Sequence, residues 1–110
     1  MSGADRRKEV RYVVVGIEAL LNGTPWPIID ISRSAVRLLK PAGAPVNASA
    51  EIVFRLNAIG RGRARSYPVA ASLIRATDLE LIYGYPLPCT RWEERLRARD
   101  TFLQTRLTAL

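Results

Sequence analysis

Histidine is absent from this chain and cysteine occurs once, as Cys89. Without imidazole, Ser–His–Asp triads, Cys–His dyads and most metal-dependent hydrolases are excluded. One thiol forms no intrachain disulfide and leaves no thiolate–imidazole framework for a metal. The acids are scattered and mostly lie beside arginines, so no catalytic carboxylate pair stands out. The residues therefore point to a non-enzymatic protein with no cofactor. No apolar run approaches the ~18 residues needed to span a bilayer. The start, "MSGADRRKEVR", is polar and lacks the apolar core of a secretory signal, so a cytoplasmic location is expected. Lysine is scarce as well. Of 17 basic residues 15 are arginine, against 10 acids, and the formal charge is +7. Arginine presents a planar fork that grips phosphate and guanine with two bonds, whereas lysine is a hydrated point charge. An arginine-preferring genome would give the same bias. If the bias is functional, the partners to consider first are nucleotides and nucleic acids.

What is present suits one domain: 110 residues, 48% of them hydrophobic, enough to bury a core. Residues 1–8 read as a flexible basic arm and 9–110 as the domain. "VRYVVVGIEALL" (10–21) is rich in β-branched residues and reads as a strand. "NGTP" marks a turn. "WPIIDIS" (26–32) and "AVRLL" (35–39) read as a hairpin. "AEIVFRL" (50–56) alternates, with Ile52, Phe54 and Leu56 on one face. "SYPVAASLIRA" (66–76) and "LELIYGY" (79–85) complete six strands. The period then changes. Thr90 and Glu93 have the spacing of a capping box, and Trp92, Leu96, Leu103 and Leu107, with Phe102 beside them, recur at helical spacing over about 91–107. The expected fold is mainly β: a six-stranded antiparallel β-barrel with a C-terminal α-helix.

Two short motifs carry chemistry. "RKEVR" places Arg7 and Arg11 just ahead of the first strand, and "DISRSA" (30–35) spans the next hairpin. R-x-x-x-R recurs at 33/37, 61/65, 91/95 and 95/99, so position, not spacing, distinguishes the 7/11 pair. In order and placement, these residues resemble the PilZ domain family, whose members bind the bacterial second messenger cyclic diguanylate (cyclic di-GMP). The family pattern is R-x-x-x-R followed by (D/N)-x-S-x-x-G on a six-stranded barrel with a trailing helix. The resemblance implies a receptor in which Arg7 and Arg11, assisted by Arg6, fold over the ligand and alter binding to a protein partner. Guanine offers N7 and O6 to such forks. Asp30 would accept from guanine N1–H and N2–H, and Ser32 would bond the ligand or fix its neighbours. Ala35 stands where the family has Gly. If that position keeps a positive φ, Ala costs about 1–2 kcal/mol; if close approach matters, the methyl narrows the ligand's bed.

Plainer roles fit the same residues. Arg7 and Arg11 could pair as surface charges with Asp5 and Glu9, and Asp30 and Ser32 could cap a hairpin turn. Trp26, Trp92 and the tyrosines suit the core. Two other functions are compatible: a degenerate PilZ-like docking module without ligand, and a small barrel binding RNA or single-stranded DNA through "GRGRAR" (60–65). That loop lacks the interleaved aromatics such binders use.

Overall fold

The computed structural model describes residues 9–12, 16–57 and 63–108, with side chains as far as residue 101. Among the described residues, seven strands precede one helix: β1 (Ile17–Leu21), β2 (Thr24–Trp26), β3 (Ile28–Ile31), β4 (Ala35–Leu39), β5 (Ser49–Leu56), β6 (Arg65–Ala76), β7 (Glu80–Gly84) and α1 (Trp92–Thr108). All pairings are antiparallel, in the order β2-β1-β5-β6-β7-β4-β3. The fold is the expected barrel with a C-terminal helix, with seven strands where six were expected.

The extra strand has a cause. "WPIIDIS" is not one strand, because Pro27 has no N–H to give a ladder and fixes φ. Residues before it pair with β1, and residues after it pair with β4. The chain thus passes at Pro27 from one edge of the sheet to the other. The Pro27 carbonyl still accepts the Leu39 N–H at 2.9 Å. Joining the two edges nearly closes the barrel and leaves little unpaired edge.

The expected first strand is also interrupted. Gly16 adopts φ 71°, and a Cβ there would meet the Arg99 guanidinium at 3.0 Å. Beyond it, Ile17 pairs with Leu56 of β5. Ahead of it, Tyr12 bridges Ile31 of β3, its N–H donating to the Ile31 carbonyl at 2.8 Å and its carbonyl accepting from Ile31 at 3.2 Å. Residues 9–12 therefore lie along the free edge of β3, which brings them to the hairpin.

Period-two alternation builds the core. Ile52, Phe54 and Leu56 point inward from β5, Val36 and Leu38 from β4, and Leu81 and Tyr83 from β7. Trp26 and Trp92 are buried, as are Tyr12, Tyr83 and Tyr85. Helix α1 lays fully buried Trp92 and Leu96 on this core, and the next residue on the stripe is Arg99. Its guanidinium donates to the carbonyls of Asn57 (2.6 Å) and Gly16 (3.3 Å). The Gly16 carbonyl also accepts the Asn57 N–H at 2.8 Å, so Arg99 ties the helix to backbone on both sides of that bond. The Thr90–Glu93 box does not form. The helix starts later: the Arg91 carbonyl accepts the Arg95 N–H at 3.1 Å, and the Glu93 carboxylate accepts the Tyr12 hydroxyl at 3.2 Å. The side chains of Phe102, Leu103 and Leu107 lie outside the described residues. Among the described residues, no helix is long and apolar enough to cross a membrane.

Candidate ligand site at the β3–β4 hairpin

The turn at 32–34 contains no Gly, Asn or Pro, and Ser32 explains how it closes. The Ser32 N–H donates to the Ala35 carbonyl at 2.8 Å, and the Ser32 hydroxyl oxygen accepts the Ala35 N–H at 3.1 Å. A side-chain oxygen thus takes the place of a backbone acceptor. The turn is also held from the core. Tyr85 donates its hydroxyl to the Ser32 carbonyl and its N–H to the Ser34 carbonyl (2.9 Å). Trp92 Nε1–H in turn donates to the Tyr85 oxygen at 3.0 Å. Burial pushes the Tyr85 phenol far above its ordinary value, so it remains a donor at any physiological pH.

Against this turn lies the leading segment. The Glu9 carboxylate accepts from the Ser34 hydroxyl at 2.6 and 2.7 Å, from the Ser32 hydroxyl at 2.8 Å and from Arg33 Nε at 3.0 Å. Burial alone would raise the Glu9 pKa. The bonds from Ser34, Arg33 and Ser32 outweigh it and hold the group below its ordinary 4.5. Stability from a depressed carboxyl is present in full above the unfolded value and is lost as pH falls through the folded one. Acid titration of the Ser32 and Ser34 amide shifts should therefore show a midpoint below 4.5 that Glu9→Gln removes. A midpoint at or above the ordinary value would contradict these bonds.

Two residues along, the Asp30 carboxylate faces two guanidiniums. Arg37, its register partner on β4, donates at 2.5 Å, and Arg11 approaches to 3.7 Å. Arg37 also reaches Glu80 at 3.7 Å. The Asp30 side chain is 16% exposed, and Ser32 as a residue 6%. The structure thus brings Arg11 beside Asp30, with Ser32 two residues along bonded to Glu9. It does not leave them open. A guanine edge that claims Asp30 must displace a guanidinium, and Ser32 already serves the turn and Glu9. Arg6 and Arg7 lie outside the described residues.

Ala35 begins β4 opposite Gly84. Among the described residues, only Asn22 has a positive φ without being glycine. The backbone strain considered for Ala35 therefore does not arise. Ala35→Gly should lower stability by about 0.5–1 kcal/mol through added unfolded-state freedom, read by urea denaturation. A stabilising Gly would show that the methyl is strained after all.

Sequence reasoning missed Glu9, Ser34 and Arg37 as members of this cluster. Arg37 had a legible signal. A two-residue turn at 33–34 sets 32 opposite 35, 31 opposite 36 and 30 opposite 37, so the acid faces the base.

No protein-family model matches the chain, and no curated protein matches its sequence. Solved structures do resemble its fold. The Bacillus subtilis inhibitor of motility MotI/DgrA aligns with a TM-score of 0.65 at 14% identity, covering 92% of this chain and 52% of that one. The uncharacterized Legionella protein Lpg0364 aligns with a TM-score of 0.60 at 14% identity, covering 90% of this chain and 98% of that one. The chain spans about half the length of MotI/DgrA. At this identity the likeness shows a shared barrel architecture.

Proposed function

We propose that this chain is a PilZ-type, non-enzymatic cytoplasmic receptor for cyclic diguanylate that alters the binding of a protein partner. The observation that carries the proposal is convergence: Glu9 and Arg11 of the leading segment bond to the hairpin residues Ser32, Ser34 and Asp30. Arg11 of the first motif thus lies beside Asp30 of the second, which supports a reading in which an arginine fork closes over a nucleotide there. The ligand would exchange for internal partners: its phosphates compete with carboxylates for Arg11, and a guanine edge competes with Arg37 for Asp30. The leading segment would then take a new position and present a changed surface. MotI/DgrA, which shares the barrel, is an inhibitor of motility; by analogy, a regulatory role is proposed here.

Calorimetric titration of the full chain with cyclic diguanylate should give saturable heat with micromolar or tighter affinity. Absence of heat from a folded sample would favour the second reading, a docking module. That reading draws on the same geometry, since Glu9, Arg11 and Arg37 already satisfy the hairpin. The nucleic-acid alternative has exposed Arg63 and Arg65 to support it, while Arg61 lies outside the described residues.

A further inference from the structure

One row of side chains crosses four strands on the outside of the barrel. Asp30 of β3 is in register with Arg37 of β4, Arg37 with Ile82 of β7, and Ile82 with Arg75 of β6. Leu81 and Tyr83 face the core, so Ile82 between them faces out. Neighbouring strands lie about 4.8 Å apart, so Arg37 and Arg75 stand roughly 10 Å apart with Ile82 as the floor between them. Arg11, Thr77 and Glu80 complete the walls of a recess of about 240 Å³. Typical small-molecule pockets occupy about 300–1,000 Å³, so this recess suits one chemical group and not a whole nucleotide.

The charges in the recess do not balance. Three guanidiniums meet two carboxylates. Asp30 bonds Arg37 at 2.5 Å, while Glu80 approaches Arg37, and Arg11 approaches Asp30, only to 3.7 Å. Arg75 is exposed and makes no ion pair with any described residue. Arg37 Nε is buried without a hydrogen-bond partner, and an unsatisfied buried donor is costly. The recess therefore holds one cation in excess.

We infer that this recess, walled by Arg11, Arg37 and Arg75, binds a phosphoryl group. A carboxylate has two coplanar oxygens, and Asp30 already supplies one. A phosphoryl group spreads its charge over oxygens in tetrahedral directions, which suits forks arriving from three different elements. Arg75 is the distinguishing residue, because neither short motif includes it. The inference shares Arg11 with the receptor reading and rests on it to that extent, so its test uses a probe that reading does not need.

In ¹⁵N-labelled full chain, inorganic phosphate at constant ionic strength should shift the Ile82 amide and the Arg37 Nε–Hε resonance saturably. Arg75→Ala should weaken that phosphate binding about tenfold while leaving amides across β1 and β5 in place. Guanosine monophosphate and cyclic diguanylate then separate a monoester from a diester source, since each should compete with phosphate in proportion to its fit. No saturable shift in the wild type, or equal affinity in Arg75→Ala, overturns the inference. Phosphate binding without cyclic diguanylate binding supports the recess and removes the receptor reading. Cyclic diguanylate binding that ignores both phosphate and Arg75→Ala supports the receptor reading and removes the recess.

Discussion

Arg11→Ala is expected to weaken cyclic diguanylate binding roughly 5- to 150-fold, the equivalent of losing one bidentate contact worth about 1–3 kcal/mol. The side chain is 32% exposed and already beside Asp30, so it needs little reorganisation to meet a ligand there. Its contribution to the fold is small by the same geometry. An ion pair of this exposure stabilises by about 0–1 kcal/mol, and Arg37 remains on Asp30 at 2.5 Å. The thermal midpoint should barely move while affinity falls. Arg11→Lys should restore little, because an ammonium keeps the charge but loses the planar fork. Calorimetry on the three proteins, with melting curves alongside, reads both effects. Wild-type affinity in Arg11→Ala would place the ligand elsewhere.

Trp92→Ala carries the largest expected stability effect. The residue is fully buried, and its ring lies 5.4 Å from Phe54, 5.5 Å from Tyr67 and 6.3 Å from Tyr85, centroid to centroid. Truncating a buried Trp to Ala costs about 3–5 kcal/mol, against a total of about 5–15 kcal/mol for a typical domain. The urea midpoint should fall steeply. Trp92→Phe separates packing from hydrogen bonding: it keeps an aromatic ring but removes the Nε1–H donated to Tyr85, a bond worth about 1 kcal/mol. Because Tyr85 holds the Ser32 carbonyl, the milder variant should also speed amide exchange at Ala35, whose N–H bonds to the Ser32 hydroxyl. Unchanged exchange there would show that the turn does not depend on this chain of bonds.

Local pattern predicted much of this barrel. "AVRLL" is β4 to the residue, "AEIVFRL" lacks only Ser49 of β5, and the helix is displaced by one position. In both strands apolar periodicity and burial agree, and in the helix they agree at Trp92 and Leu96. What was missed depends on partners far along the chain. The apolar pattern runs unbroken through Pro27, and only the pairing of β2 with β1 and β3 with β4 reveals the change of edge. The apolar run from Val10 to Leu21 hides the positive φ at Gly16. The capping signal at Thr90 and Glu93 was misleading because Tyr12 takes Glu93, and Arg91 pairs with Glu94 at 2.8 Å at the helix start.

The site divides in the same way. Asp30 and Ser32 were visible as a pair, and the arithmetic of the turn makes Arg37 visible too. Glu9 stood in plain view between Arg7 and Arg11, but its role needs the bridge between Tyr12 and Ile31. Arg75 was beyond sequence reasoning, because the β6–β7 register shifts between Leu73 and Arg75 and no local pattern encodes that shift.

On the proposed reading, the leading segment and the β3–β4 hairpin together receive cyclic diguanylate. Mapping amide shifts in labelled full chain during a titration with that nucleotide tests it most directly. Saturable changes should concentrate at residues 9–12 and 30–37, with the Glu9 contacts to Ser32 and Ser34 rearranged. Saturable changes confined to β1, β2 and β5, or no change at any ligand concentration, would contradict it.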